Sequence, residues 1–172
     1  PQATPFPGLR VFVREIKVVG STVFSPGDLA KVTEPYKNRE LTSEDLETLR
    51  VALTLLYVNK GYVNSGAILP DQSVTEGVVT YQIIEGSLSA VDVEGNRWFR
   101  DSYFQKRFLL DAGPPLNVNS LQRRLQLLLE DSRIQRLNAE LKPGLKPGEG
   151  TLDVRVEERT PYRLITEYNN FQ

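Results

Sequence analysis

Apolar and polar side chains alternate along residues 10–19, with Val11, Val13, Ile16, Val18 and Val19 as the apolar, β-branched positions. A period of two with β-branched residues predicts a strand, and Gly20 closes it. Ser25-Pro26-Gly27-Asp28 then reads as a helix start. Serine can cap, proline suits the first helical position, and aspartate complements the positive helix end. That helix is expected to stop near Glu34-Pro35, since proline restricts the residue before it. A second start follows at Thr42, with Asp45 three residues on. Leu46, Leu49, Ala52, Leu53 and Leu56 recur at helical spacing on one face, and Gly61 is a plausible helix stop. Residues 62–69 and 78–84 read as strands joined by a turn-rich loop at 70–77.

The pattern then repeats. Shifted by 75 residues, Ile16 meets Val91, Val18 meets Val93, Gly20 meets Gly95, Phe24 meets Phe99, Leu41 meets Leu116, Leu46 meets Leu121 and Leu53 meets Leu128. After a two-residue deletion, Val79, Tyr81 and Ile83 meet Leu152, Val154 and Val156, while Gly61 and Gly86 fall opposite Arg136 and Arg159. Matching apolar and glycine positions at a fixed period mean two copies of one small folded unit. The second copy predicts a strand at 88–93, a short helix at 100–110, a long helix from Asn117 to about 131, and strands at 134–141 and 152–158. The expected fold class is α+β: two tandem βααββ units at 10–86 and 87–159, each a three-stranded mixed sheet covered by two helices. Ser87-Leu88-Ser89 leaves no room for a flexible linker, so a stiff pair is expected. Residues 1–9 are proline-rich and read as an extended linker.

Composition removes several kinds of chemistry. The chain has 172 residues and a net charge of −1. Residues 10–86 carry 8 Lys/Arg against 10 Asp/Glu, and residues 87–159 carry 12 against 11. Neither half has the basic excess that nucleic-acid binding needs. Lys106, Arg107, Arg123, Arg124, Arg133 and Arg136 form a small basic group that reads as a solvated face. There is no Cys and no His, so the thiolate, the commonest general base and the commonest metal ligand are all missing. Glu44, Asp45 and Glu47 sit in a helix first turn, where a dipole role is expected, and Glu157 and Glu158 point to opposite faces of a strand. No phosphate loop occurs. The expectation is a non-enzyme without cofactor, metal or catalytic residues. Trp98, the single tryptophan, reads as a ring covering the core edge. No apolar run reaches the ~20 residues of a membrane-spanning helix. From Pro161, Tyr162, Leu164, Thr166 and Tyr168 alternate with Arg163, Ile165, Glu167 and Asn169, which resembles the first strand of an outer-membrane β-barrel at 160–172. The start at Pro1 reads as a processed or excised chain.

One run carries a family resemblance: GYVNSGAILPDQSVTEGVVTYQIIEGSLSAVDVEGN, residues 61–96. Its Gly-Tyr, its strand ending in Leu-Pro, its glycine-led strand and its closing Glu85-Gly86 resemble the polypeptide-transport-associated (POTRA) domain. The likeness is to the POTRA pair of two-partner secretion outer-membrane transporters, the hemolysin and filamentous-hemagglutinin exporter type. The resemblance implies the periplasm-facing part of a Gram-negative outer-membrane protein, a receptor that passes an unfolded secreted partner to its own C-terminal barrel. That partner would be an adhesin, a hemolysin or similar, engaged through its N-terminal secretion domain, and the fragment itself would be a monomer. In such units the second strand lies at a sheet edge, here residues 62–69 and 137–141, and an exposed edge offers backbone groups to an extended chain. The candidate contacts in the first unit are Val63, Ser65, Ala67, Ile68 and Leu69 on the edge, with Leu49, Leu53 and Leu56 on the facing helix. In the second unit they are Leu137, Ala139 and Leu141. The alternatives are the POTRA region of a barrel-assembly or protein-import factor, and a free-standing periplasmic binding adaptor.

Overall fold

The computed structural model describes residues 10–74, 76–110 and 113–160. The expected linker at 1–9 and the barrel-like strand from Pro161 on lie outside the described residues. The first unit contains β1 (Arg10–Val13), β2 (Glu15–Val19), α1 (Pro26–Thr33) with a 3-10 turn (Glu34–Tyr36), β3 (Arg39–Thr42), α2 (Ser43–Val58), β4 (Gly66–Ile68) and β5 (Val78–Ile84). The second contains β6 (Ser87–Glu94), α3 (Asp101–Leu109), α4 (Val118–Leu129), β7 (Ile134–Pro143) and β8 (Glu149–Glu158). The two main sheets have the orders β2-β5-β4 and β6-β8-β7. In each, the first strand runs parallel and the last antiparallel to the central one. The expected fold class holds.

The strand expected at 10–19 is two strands. Its apolar parity switches between Val13 and Ile16, and both side chains are buried. A straight strand would put them on opposite faces. The chain breaks at Arg14, where the Arg14 and Glu15 N–H groups both donate to Gly77 O, at 2.8 and 3.1 Å. β1 then pairs with β3, a strand that the sequence pattern did not announce.

Helix starts follow the capping chemistry. The Ser25 hydroxyl accepts from the Asp28 N–H at 3.2 Å. Thr42 and Asp45 form a reciprocal capping box, and Asn117 caps α4 through the Asn119 N–H. Leu49, Leu53 and Tyr57 of α2 pack on Ala67, Val79, Tyr81 and Ile83 of the first sheet. Leu121 and Leu128 of α4, with Phe104 and Phe108 of α3, pack on Leu137, Leu152, Val154 and Val156 of the second.

The repeat extends to the hydrogen bonds. Glu85, just past β5, accepts from the Thr22 and Val23 N–H groups at 2.6 and 3.2 Å. Glu158, at the end of β8, accepts from the Arg97, Trp98 and Phe99 N–H groups at 3.2, 2.7 and 3.2 Å. Each carboxylate latches the loop that leaves the first sheet strand of its own unit. In the first unit Tyr57 adds its hydroxyl to the Glu85 latch at 3.1 Å, and burial pushes that phenol up to about 12. The ribbon β1–β3 survives in the second unit as one bond, the Leu116 N–H to Gly86 O at 2.6 Å.

Strand register relocates the deletion. Ala67 faces Ile83 as Leu137 faces Val156. Fourteen residues separate Leu53 from Ala67, against nine between Leu128 and Leu137. Sixteen separate Ala67 from Ile83, against nineteen between Leu137 and Val156. The second unit therefore has a shorter helix and helix–strand connection, and a longer β7–β8 hairpin. Arg136 opposite Glu157 matches Gly66 opposite Ile84, which corrects its alignment with Gly61.

Candidate functional site

Of the four edge strands of the two main sheets, β2, β4, β6 and β7, the two antiparallel ones, β4 and β7, differ in what they leave open. β4 has three residues, and α2 lies beside it. The Thr54 hydroxyl accepts the Ala67 N–H at 3.0 Å, and Arg50 Nη1 donates to Ala67 O at 3.2 Å. Arg50 is held for this by Glu47, whose carboxylate accepts from its Nε and Nη2 at 2.6–3.0 Å. That hydrogen bonding lowers the Glu47 pKa and raises the Arg50 pKa. Both backbone groups of the central β4 residue are thus occupied by side chains of α2. Covering an edge in this way blocks strand addition.

The expected first-unit contacts separate accordingly. Residues 62–65 form a turn, not a strand, because the Tyr62 N–H returns to Tyr57 O at 3.1 Å and the Ser65 N–H to Tyr62 O at 3.1 Å. Val63 lies on that turn and is exposed. Ser65 is buried and accepts the Gly86 N–H at 2.8 Å. Ala67 is buried, Leu69 is half-buried against the core, and Ile68 is exposed. Leu49 and Leu53 are fully buried and Leu56 packs against the same core, so they fill the unit instead of lining a groove. The outward apolar residues of α2 are Val51 and Leu55. Their i, i+4 spacing is legible in the sequence as a second stripe, two positions on from Leu49 and Leu53.

β7 presents a longer edge. It pairs with β8 from Ile134 opposite Glu158 to Pro143 opposite Gly150. Ten strand residues span about 33 Å, whereas the 12 residues of α4 span about 18 Å. The strand outruns the helix that covers it. Leu137 is buried, while Ala139 and Leu141, further along the same face, are exposed and half-buried. The opposite face carries Arg136, Asn138, Glu140 and Lys142. Arg136 pairs with Glu157 at 3.3 Å, and Lys142 hydrogen-bonds to Asp153, which raises the lysine pKa.

The far end of β7 meets the first unit. Asn64 Nδ2 donates to Gly148 O at 2.9 Å and Ser87 O at 3.3 Å. The Val118 N–H donates to Gly61 O at 2.9 Å, and Asn117 Nδ2 to Lys60 O at 3.0 Å. Gly61 sits at φ +91°, the left-handed region that favours glycine, and a Cβ there would press on the Asn117 and Asn119 side chains at the start of α4. Its role extends from the expected helix stop to the junction. Beside these bonds a cleft of about 580 Å³ opens, lined by Val63, Asn64, Leu141, Lys142, Pro143 and Leu145. Leu145, at the hairpin tip, is fully exposed. Among the described residues no strand pairs with the outer edge of β7, and that edge runs into a partly apolar cleft. This geometry has the dimensions of an extended polypeptide.

Comparison with known proteins agrees with this architecture. Residues 11–86 match the family model of the POTRA domain, ShlB-type. The chain is 25% identical over 158 residues to the outer membrane transporter CdiB of Dickeya dadantii, covering 92% of this chain and 28% of that protein. It is 25% identical over 156 residues to the hemolysin transporter protein ShlB of Serratia marcescens, covering 88% and 26%. The solved structure of CdiB from Escherichia coli superposes with a TM-score of 0.74 at 22% identity, over 94% of this chain and 30% of that one. The chain spans about a quarter of the length of these curated relatives.

Proposed function

From the premise that this chain carries the ShlB-type POTRA fold of two-partner secretion transporters, we propose that it receives an unfolded secreted protein and passes it to an outer-membrane barrel. POTRA domains of outer-membrane transporters lie in the periplasm of Gram-negative bacteria, and this chain faces that compartment. The client docks as an added strand along β7, with its apolar side chains entering the cleft between Leu141, Leu145 and Val63. The observation that carries this reading is the contrast between edges: Ala67 of β4 is occupied by Thr54 and Arg50, while the ten-residue β7 continues past its covering helix.

Backbone pairing suits the task. It reads an extended shape with little regard to side chains, so one edge serves many segments of a long client. Release then needs only the exchange of backbone hydrogen bonds with water, each worth about 0.5–1.5 kcal/mol net. The units at 10–86 and 87–159 act as one receptor in this reading, because the cleft draws residues from both. The test is a backbone NMR titration of the 172-residue chain with the N-terminal secretion domain of the protein encoded beside it. Shifts along residues 134–148 and at Val63, with β4 quiet, are expected. Shifts confined to α1, or none with the secretion domain in large excess, would overturn the reading.

A further inference from the structure

We propose that the distal end of the second unit is a docking surface for an anionic phospholipid bilayer. Glu158 gathers the Arg97, Trp98 and Phe99 N–H groups there, and Arg159 follows it in sequence. The Arg159 N–H donates to Arg133 O at 2.8 Å, and the Arg133 guanidinium lies 4.5 Å from the Phe99 ring centroid. Trp98, Phe99, Arg133, Glu158 and Arg159 surround one shallow pocket. Trp98 is 55% exposed, and Arg97, Arg100, Arg133 and Arg159 are all exposed.

The nearby carboxylates are engaged. Glu158 serves the loop N–H groups, Asp131 is held by Arg133 at 2.6 Å, and Asp101 accepts from Asn96 at 2.6 Å. Arg97, Arg100 and Arg159 make no ion pair among the described residues.

The internal repeat shows that the loop does not need these side chains. The same latch in the first unit carries Thr22, Val23, Ser25 and Gly86 where the second carries Arg97, Trp98, Arg100 and Arg159. Among the described residues Glu158 bonds backbone N–H groups, so the three arginine side chains are additions to a latch that closes without them. A tryptophan amid arginines matches the water–lipid interface, where the indole sits at headgroup level and cations meet anionic phosphates. The inference rests on the reading that this chain faces an outer membrane. It places the contact on the side where the chain leaves β8, away from the β7 cleft.

The single tryptophan makes the test direct. The 172-residue chain is mixed with vesicles of phosphatidylethanolamine and phosphatidylglycerol, and separately with phosphatidylcholine vesicles. Trp98 emission is expected to shift to the blue with the anionic vesicles alone, and added salt should reverse it. Each basic residue at such a surface raises partitioning about fivefold. The triple variant Arg97→Gln, Arg100→Gln, Arg159→Gln should therefore bind roughly 100-fold more weakly. Lys17→Gln with Lys31→Gln and Lys37→Gln on the first unit should change nothing. An unchanged emission with anionic vesicles overturns the inference, as does equal binding of the triple variant or of phosphatidylcholine. Because secretion-domain binding at β7 is measured without vesicles, either proposal can fail while the other stands.

Discussion

Replacing Glu85 by glutamine tests whether the carboxylate latch holds each unit closed. Glu85 accepts four hydrogen bonds: from the Thr22 N–H at 2.6 Å, the Thr22 hydroxyl at 2.5 Å, the Val23 N–H at 3.2 Å and the Tyr57 hydroxyl at 3.1 Å. Glutamine keeps the length, but one terminal atom becomes an amide nitrogen that can only donate, set among donors. A hydrogen bond to a charged group contributes about 1.5–3 kcal/mol and a neutral one about 0.5–1.5. Water reaches this half-exposed site and replaces part of the loss, so Glu85→Gln should cost about 1–2 kcal/mol. With a urea slope of about 1–3 kcal/mol per molar, the midpoint falls by about 0.3–2 M. Circular dichroism, which reports the helices of both units, follows the loss. The matching variant Glu158→Gln is read by Trp98, which lies on the loop that Glu158 latches. The pH dependence supplies an independent check. Burial alone would raise the Glu85 pKa, but its hydrogen bonds outweigh burial and hold it below 4.5. A carboxylate lowered in the folded state contributes stability above its unfolded pKa and loses it as pH falls through the folded value. The gap between parent and variant should therefore stay constant from neutral pH to about 5 and close below that. Equal midpoints at neutral pH, or a gap that ignores acidification, would refute the latch.

Three further outcomes follow from the geometry. Gly20→Ala and Gly95→Ala should each destabilise by more than the roughly 1–2 kcal/mol of a left-handed alanine. Both sit at φ +84°, and a Cβ would lie 2.7 Å from Ile83 O or 2.4 Å from Val156 O. Gly27→Ala, with no neighbour nearer than 3.8 Å inside α1, should stabilise by about 0.5–1 kcal/mol in the same denaturation assay. Thr54→Val keeps the side-chain shape but orphans the Ala67 N–H, at a cost of about 1–3 kcal/mol. Hydrogen exchange of the Ala67 amide should accelerate, and unchanged protection would mean that the β4 edge is covered by something other than the threonine.

How much of this was legible in the sequence depended on whether the signal was local. Caps at Ser25, Thr42 and Asn117 are written in single residues and their neighbours, and the helices begin where those residues stand. Strand β5 was legible because its burial alternates along the whole element. The break at Arg14 was also present, as the parity change between Val13 and Ile16, but reading it required knowing that both face a core. β3 carries only one buried residue in four, so no periodicity marks it, and its pairing with β1 is a long-range fact. The candidate site was harder for the same reason. Leu49 and Leu53 are apolar whether they line a groove or fill a core. Only the helix's orientation shows that the sheet takes them and leaves Val51 and Leu55 outside. Edge strands could be expected from the order of elements, but their occupancy could not: Thr54 reaches Ala67 across 13 residues of sequence, and Asn64 reaches Gly148 across 84.

The duplication separates what the unit requires from what each copy adds. Both copies retain the positive-φ glycine, the carboxylate latch and the packed helix–sheet core, because each removes a physical conflict inside the unit. The copies diverge where no such conflict exists. The first lengthens its helix by a turn, bringing Tyr57 to the latch and leaving α2 long enough to place Thr54 and Arg50 over β4. The second shortens the helix and lengthens the hairpin, so the same strand position becomes an open edge reaching back to its neighbour. In the proposed capture, covering β4 while leaving β7 open favours β7 over β4 as the place for an added strand. Two open edges of similar length would let a client bind in competing positions, or let two chains pair with each other. Under the proposed function, this asymmetry would direct capture toward the second unit, the one from which the chain runs on past Glu158.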